Sequence, residues 1–252
     1  MSTGAPPEPV LRISHLSKSF EGLRAIDDVS LSVLPGQCFG IIGANGAGKT
    51  TLLNLVTGYL RPSAGDIRFE GRPIGDLAPY RIAHLGIGRT FQIVQPFAEM
   101  TVRENVMTGA LFSTRGSRRS LAEARDFCDE PLAMVGLEDQ ADLPAGMLTL
   151  GAKKKLELAR VLATEPRLML LDEVMGGLTH SEIDDIVAIV ERVNDAGTTV
   201  VMVEHLVHVV TYLCDHVFVL DFGRELFQGS ADAVLSNREV VEAYLGKPAA
   251  PS

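Results

Sequence analysis

Residues 43–50, Gly-Ala-Asn-Gly-Ala-Gly-Lys-Thr, constrain this chain more than any other segment. They match every fixed position of the pattern G-x-x-x-x-G-K-[ST]. The apolar run 38–42 before them predicts a buried strand, and the run 51–57 after them predicts a helix that ends at Gly58. Because this strand, loop and helix are the context in which the pattern holds phosphates, the sequence predicts a site for a nucleoside triphosphate.

The residue types of this segment suit phosphate binding. Glycines allow the loop to turn tightly and let phosphate oxygens approach the backbone, while the start of the following helix is positive. Lys49 would neutralise β- and γ-phosphate charge, and the hydroxyl of Thr50 would bind Mg²⁺. The predicted nucleotide-binding residues of the segment are Gly43, Asn45, Gly46, Gly48, Lys49, Thr50 and Thr51.

Composition places the chain among globular proteins that do not cross a membrane. Of its 252 residues, 46% are hydrophobic and 22% charged, which is enough to bury a full core. No apolar run approaches the ~18 residues of a membrane span. Residues 1–9 have no basic start and no apolar segment, so we expect a short disordered leader and a cytoplasmic protein.

Charge argues against a nucleic-acid-binding protein, and cysteine spacing argues against a cysteine metal site. The net charge of −9 argues against nucleic-acid binding, and the basic runs at 115–119 and 153–155 are too short to reverse it. Cys38, Cys128 and Cys214 are far apart and lack metal-ligand spacing. We therefore expect three reduced, mostly buried cysteines and no nucleic-acid partner.

The first part of the chain predicts a small antiparallel sheet and a helical insertion. Residues 10–36 and 66–70 show partial alternation of apolar and polar side chains, interrupted by turn-like residues. From about 95 the pattern becomes helical, with segments at 102–112 and 121–135 separated by a polar loop at 113–120.

After Gly151, predicted helices at 153–163, 181–194 and 206–213 alternate with apolar strands at 168–171 and 199–203. A hairpin turn at 221–224 and closing helices within 231–245 follow. Such alternation is typical of an α/β fold with a parallel sheet, whose ligands bind at the carboxyl ends of the strands.

A second group of candidate residues follows the strand predicted at 168–171. Asp172 and Glu173 would stand at its carboxyl end. In a phosphate-binding protein, one acidic residue there can hold Mg²⁺ and its neighbour can orient a hydrolytic water. The alternative is a solvated acidic turn, which the nearby phosphate loop makes less attractive.

With these motifs in place, the sequence resembles the ATPase subunits of ATP-binding cassette (ABC) transporters from residue 10 to residue 246. The resemblance implies an α/β P-loop NTPase core with a parallel sheet, an N-terminal antiparallel β-subdomain and a helical subdomain inserted at about 95–165. Phe20 falls where the family stacks an aromatic ring on adenine, Gln92 where a glutamine senses Mg²⁺ and the attacking water, and His205 where a histidine contacts the γ-phosphate. Residues 247–252 would be a tail.

Thr149 and Gly151, in the segment Leu-Thr-Leu-Gly-Ala, match the family signature. The resemblance implies that two subunits enclose two ATP molecules, each bound by the phosphate loop of one subunit and the signature of the other. Glu173 would then polarise the attacking water. The implied cofactors are ATP and Mg²⁺. The implied partners are a second ATPase subunit, identical or paralogous, membrane permease subunits and, indirectly, a periplasmic solute-binding protein. The subunit would lie at the inner face of the plasma membrane.

Several positions depart from the family pattern. Leu150 and Ala152 replace a glycine and a glutamine of the signature, and Leu150 would be strained if that position required a positive φ. Val174 replaces a proline, Thr179 an aspartate and Leu206 a polar residue. We expect these changes to affect the rate of hydrolysis more than ATP binding.

The segment Arg-Thr-Phe-Gln at 89–92, the altered signature and the ending at 236–246 resemble importers of branched-chain amino acids and the related urea and amide importers. Two alternatives remain: an ATPase subunit like those of lipopolysaccharide exporters, and a slow-hydrolysing regulatory or non-transport cassette. The apolar residues at 93–97 are candidates for contact with a cytoplasmic helix of the permease.

Overall fold

The computed structural model describes residues 7–113 and 119–242 of the chain. These residues form two compact units. The first unit comprises residues 7–78 and 201–242, and the second comprises residues 79–113 and 119–200. The boundaries predicted for the helical subdomain stay a prediction.

The described strands are β1 (Leu11–Phe20), β2 (Leu23–Val33), β3 (Cys38–Ile42), β4 (Ala64–Phe69), β5 (Arg72–Pro73), β6 (Ile87–Arg89), β7 (Leu168–Asp172), β8 (Thr199–Val203), β9 (His216–Asp221) and β10 (Arg224–Gly229). The described α-helices are α1 (Lys49–Val56), α2 (Pro79–His84), α3 (Val102–Ala110), α4 (Leu121–Phe127), α5 (Asp129–Val135), α6 (Leu150–Leu162), α7 (His180–Asp195), α8 (Val207–Leu213), α9 (Ala231–Ser236) and α10 (Arg238–Val240). The chain passes from the second unit to the first within β8.

The predicted N-terminal antiparallel sheet is confirmed in the first unit. Its strand order is β2-β1-β4-β5, and every pair is antiparallel. Ile13 stands opposite both Leu31 and Ile67, and all three side chains are buried. Because directly opposed residues share a face of the sheet, this row forms part of the core under it.

A second group of strands in the first unit leads into the phosphate loop. β3 pairs with β9 in parallel, and β10 returns antiparallel to β9 across the predicted hairpin. All five residues of β3 are buried, as its apolar run predicts. Helix α8 approaches β3 closely, since a Cβ at Gly40 would lie 2.3 Å from a side-chain carbon of Val210.

The second unit contains a short parallel pair and a helical part. β6 pairs with β7 in parallel, with Gly88 opposite Met169. Helices α3 and α5 pack against α6. Helix α3 begins with a capping box in which Thr101 and Glu104 satisfy each other's backbone N–H groups. This box explains why the helical segment predicted at 102–112 starts at residue 102.

The helical segment predicted at 121–135 is two helices, α4 and α5, which meet at Cys128. Pro131 in the first turn of α5 accounts for the break. Its ring would clash with the carbonyl of Phe127 in a continuous helix, and its missing N–H is harmless near a helix start. Helix α2 and strand β6 were not predicted, because six and three residues are too few for periodicity to show.

The cysteine prediction is confirmed: Cys38, Cys128 and Cys214 are buried thiols. Cys38 and Cys214 are far apart in sequence, but their Sγ atoms are 3.5 Å apart. Three predictions fall wholly or partly outside the described residues. They are the leader at 1–9, the loop at 113–120 with the basic run at 115–119, and the end of the closing helices with the tail at 247–252.

Candidate functional site

The phosphate loop of the first unit joins the buried strand β3 to helix α1. Gly46 and Gly48 have φ values of 82° and 108°, a region that side chains with a Cβ rarely occupy. A Cβ at Gly48 would also lie 2.6 Å from the carbonyl oxygen of Ala25. At Gly43 the constraint is packing, since a Cβ there would lie 2.3 Å from the carbonyl oxygen of Leu220. The three glycines are therefore required by the fold of the loop itself.

Lys49 is the first residue of α1 and is only 5% exposed. Its ammonium group donates to the carbonyl oxygens of Gly43 and Ala44, at 2.7 and 3.0 Å. Among the described residues, no side chain caps the start of α1, and the first turn of this helix contains no acidic residue. The positive end of the helix and the lysine charge therefore favour an anion at the loop, where Asn45 and Thr50 are exposed.

Two further predicted residues, Phe20 and His205, also belong to the first unit. Phe20 ends β1 with 41% of its surface exposed, and the Lys18 ammonium lies 5.0 Å from its ring centroid. His205 is exposed and follows Glu204, whose N–H donates to the carbonyl of Ile41 at 3.4 Å. This hydrogen bond places His205 near the end of β3 from which the phosphate loop starts.

In the second unit, Asp172 ends β7 and pairs with Arg89 at the end of the neighbouring strand β6. The distance from Arg89 Nη2 to Asp172 Oδ2 is 2.8 Å, and the two side chains are 6% and 3% exposed. The other carboxylate oxygen of Asp172, Oδ1, is buried and accepts no hydrogen bond from the described residues. A carboxylate oxygen left open in this way suits Mg²⁺ or a water bound to it, so Asp172 fits the predicted magnesium ligand.

Gln92 and Glu173 are brought together in the second unit. The Gln92 amide Nε2 donates to Glu173 Oε2 at 2.6 Å. Glu173 also has a left-handed backbone, with φ at 50°, which costs energy for a residue other than glycine. Six other described non-glycine residues, Glu70 among them, share this backbone, so the candidate role of the Glu173 carboxylate rests on its place after β7 and on its hydrogen bond with Gln92.

The signature segment begins α6 in the second unit. Thr149 is the N-cap of this helix, and its hydroxyl accepts the N–H of Ala152 at 3.3 Å. Leu150 is the first helical residue and is not among the residues with positive φ, so the expected strain at Leu150 is absent. A Cβ at Gly151 would lie 2.4 Å from Glu182 Oε1, so this glycine leaves room for the Glu182 side chain.

Thr179, which replaces the family's aspartate, caps helix α7. Its N–H donates to Glu182 Oε2 at 2.8 Å, and its hydroxyl accepts the Glu182 N–H at 3.4 Å. The Thr179 hydroxyl also donates to Glu182 Oε2 at 2.9 Å, and the two hydrogen bonds that this carboxylate accepts from Thr179 lower the pKa of Glu182. Since aspartate and threonine are both good N-caps, the substitution preserves the start of α7.

Comparison with known proteins decides the family. Residues 26–176 match the model of the ABC transporter family. The chain belongs to this family. The ABC protein BraF of Pseudomonas aeruginosa, a high-affinity branched-chain amino acid transport ATP-binding protein, is 38% identical to the chain over 251 residues. That match covers 95% of this chain and 98% of BraF. LivG of Escherichia coli K12, with the same description, is 35% identical over 254 residues, or 95% and 99% of the two chains.

Solved ABC structures agree with this assignment. A cassette in its ADP conformation superimposes with a TM-score of 0.86 at 33% identity, covering 95% of this chain and 99% of that one. A dimeric cassette bound to ADP and phosphate after hydrolysis gives 0.78 at 26% identity, covering 88% and 98%. The predicted α/β P-loop NTPase fold and the prediction of an ATP-hydrolysing ABC transporter subunit are confirmed. In the part of this ABC subunit that the structure describes, no helix is both long and apolar enough to cross a bilayer.

Three charged residues around the ABC motifs have roles that the sequence did not indicate: Arg89, Lys154 and Glu157. All three are substantially buried, and each contacts a predicted site residue or its neighbour. A lysine and a glutamate on an amphipathic helix normally predict a solvated face, so the sequence favoured exposure. Only tertiary packing reveals which charges are withdrawn from water.

Proposed function

We propose that this ABC ATPase drives the import of branched-chain amino acids. The observation that carries the proposal is the end-to-end identity of 38% with BraF and 35% with LivG, both described as high-affinity branched-chain amino acid transport proteins. Resemblance to urea and amide importers keeps those small polar solutes as the nearest alternative. Substrate choice itself would lie in the permease and the periplasmic binding protein.

The proposed assembly is a pair of ABC ATPase subunits beneath a membrane permease. The dimeric relative bound to ADP and phosphate supports pairing, with a second copy or a paralogue of this chain as the partner. Association with permease subunits would hold the protein at the inner face of the plasma membrane. Thr149 and Gly151, at the start of α6, would bind the γ-phosphate of the ATP held by the partner subunit.

In the proposed binding step, the loop from Gly43 to Thr51 holds the phosphates of ATP. Lys49 would exchange its loop carbonyl contacts for phosphate oxygens, and Phe20 would stack on the adenine ring. Thr50, Gln92 and Asp172 would hold Mg²⁺, which neutralises phosphate charge when bound. The open Oδ1 atom of Asp172 supports this ligand set.

In the proposed chemical step, Glu173 orients a water molecule for attack on the γ-phosphate and accepts its proton. The hydrogen bond from Gln92 would keep the carboxylate in place before water binds. Water adds to phosphorus as the bond to the leaving ADP oxygen breaks, giving ADP and phosphate. His205 would donate a hydrogen bond to the γ-phosphate, and loss of that group would let the subunits separate.

The permease is proposed to contact the segment 93–97 of the second unit. Ile93 and Phe97 are 73% and 50% exposed, so the segment offers apolar surface to a partner. Phe97 is nevertheless held in place, since Asn105 bonds both its N–H and its carbonyl and the Arg160 guanidinium lies 5.1 Å from its ring centroid. A fixed, exposed aromatic ring is suited to anchoring a partner helix.

Deletion of the gene is expected to abolish high-affinity uptake of radiolabelled leucine, and a plasmid copy should restore it. A plasmid carrying Lys49→Met should not restore uptake, because the variant lacks the cation for the ATP phosphates. Lys155→Met is the matched control, since Lys155 lies outside the loop and pairs with Asp185 on α7, and it should restore uptake.

Two results would contradict the proposal. Normal leucine uptake in the deletion strain, with loss of urea uptake or of lipopolysaccharide transport instead, would reassign the substrate. Full restoration by Lys49→Met would show that ATP use by this chain is not needed for import.

A further inference from the structure

Helix α6 contains two buried charged side chains to which the proposed hydrolysis mechanism assigns no role. Lys154 is 3% exposed and Glu157 is 7% exposed. Because they are three positions apart, their side chains lie on the same face of the helix. This face is directed at the segment that contains Gln92, as the hydrogen bonds of both side chains show.

The two side chains hold the backbone at residues 91 and 92 by one hydrogen bond each. Glu157 Oε1 accepts the Phe91 N–H at 2.7 Å, and the Lys154 ammonium donates to the Gln92 carbonyl oxygen at 3.2 Å. The same ammonium donates to the carbonyl oxygen of Glu173 at 3.4 Å. Lys154 therefore links the backbones of the two residues whose side chains form the 2.6 Å hydrogen bond.

Burial of the Lys154 and Glu157 charges costs free energy unless their hydrogen bonds and mutual attraction are kept. A buried ammonium needs hydrogen-bond acceptors and a nearby negative charge, which the two carbonyls and Glu157 supply. Burial raises the pKa of the Glu157 carboxyl, while the Phe91 N–H and the charge of Lys154 act in the opposite direction. Losing the ammonium would remove a donor from both carbonyl groups, of which that of Glu173 also accepts the Gly176 N–H at 3.3 Å, and would weaken the stabilisation of Glu157.

We propose that Lys154 is a positioning residue for ATP hydrolysis. It holds the Gln92 and Glu173 carbonyls so that the amide and carboxylate side chains stay within hydrogen-bond distance of each other. The hydrogen bond from Lys154 to the Glu173 carbonyl would help to hold the left-handed backbone of Glu173, because such a conformation persists only where its surroundings enforce it. This inference rests on the proposed roles of Gln92 and Glu173. Lys154 itself contacts neither ATP nor the attacking water.

Lys154→Met is expected to lower kcat for ATP hydrolysis about tenfold, since a small displacement of catalytic groups is costly, and to leave KM for ATP within about twofold. Lys154→Arg should recover most of kcat, because a guanidinium can donate to both carbonyls. Lys153→Met is the matched control: it removes the same charge from the neighbouring, less buried position and should keep wild-type turnover. If Lys154→Met does not fold, Lys154→Gln replaces it, and its amide should give an intermediate kcat.

A double-mutant cycle separates positioning from simple stabilisation of α6. In a Gln92→Ala background the hydrogen bond to Glu173 is already gone, so Lys154→Met should lower kcat by less than about threefold there. An equal loss in both backgrounds would overturn the inference. So would a parallel loss of kcat and melting temperature that Lys154→Arg does not rescue, since this is the behaviour of a packing residue.

Turnover of three variants distinguishes a wrong role for Lys154 from wrong roles for Gln92 and Glu173. If Glu173→Gln and Gln92→Ala each lower turnover while Lys154→Met does not, only the inference is wrong. If Glu173→Gln and Gln92→Ala leave turnover unchanged, the roles on which the inference rests are wrong as well, and both fall together.

Discussion

Replacement of Glu173 by glutamine should lower ATP turnover by at least about 100-fold, within the usual contribution of a general base. The amide cannot accept a proton from the attacking water, yet its carbonyl oxygen can still accept the hydrogen bond from Gln92. ATP affinity should therefore stay within about threefold of wild type. The phosphate loop is unchanged in this variant, and the hydrogen bond between residues 92 and 173 is kept. Phosphate release under ATP saturation and equilibrium binding of ATP measure the two quantities separately.

Glu70→Gln is the matched control for Glu173→Gln. Glu70 is an exposed glutamate that also has a left-handed backbone, with φ at 47°, but it ends no strand near a predicted catalytic group. Its replacement should leave turnover unchanged. Unchanged turnover in Glu173→Gln would contradict the role proposed for this carboxylate, whatever the control shows.

Arg89→Met is expected to destabilise the chain by about 3–5 kcal/mol, because removal of one partner leaves the other buried as an uncompensated charge. Asp172 is 3% exposed, and its Oδ1 atom already accepts no hydrogen bond from the described residues. The loss of Arg89 would take away the ion pair at Oδ2 as well. Urea unfolding followed by circular dichroism should show a large fall in midpoint at an unchanged slope.

An exposed ion pair provides the comparison for Arg89→Met. The distance from Arg68 Nε to Asp66 Oδ2 is 2.5 Å, but the two side chains are 46% and 44% exposed. Arg68→Met should cost at most about 1 kcal/mol, since water screens such pairs. The double variant Arg89→Met/Asp172→Asn should recover part of the lost stability because it also removes the buried negative charge. Equal effects of Arg68→Met and Arg89→Met would show that the buried pair has no special weight.

The sequence predicted best where one physical requirement dominates. Strands β3 and β8 have the bounds predicted for them, since each is five consecutive buried residues between turn or polar residues. The phosphate loop was equally predictable, because few residue types tolerate the φ values of Gly46 and Gly48. Asp172 and Glu173 followed from their place at the end of an apolar strand.

Features that depend on tertiary packing were not predictable. Nothing local distinguishes Lys154 from Lys153 or Lys155, yet Lys154 alone of the three is buried. Strain at Leu150 was expected only if the position required a positive φ, and that condition is not met because Leu150 begins an ordinary helix. The sequence showed Arg89 only as part of the motif at 89–92. Its pairing with Asp172 depends on β6, which is too short to recognise in the sequence.

In the proposed mechanism, two cassettes complete each ATP site. The decisive measurement is sedimentation velocity of Glu173→Gln with ATP and Mg²⁺, alone and mixed with a paralogous cassette from the same organism. We expect a species of two-cassette mass in at least one sample, and single-cassette mass when Lys49→Met is added to the variant. Single-cassette mass in both samples, despite bound ATP, would contradict the claim.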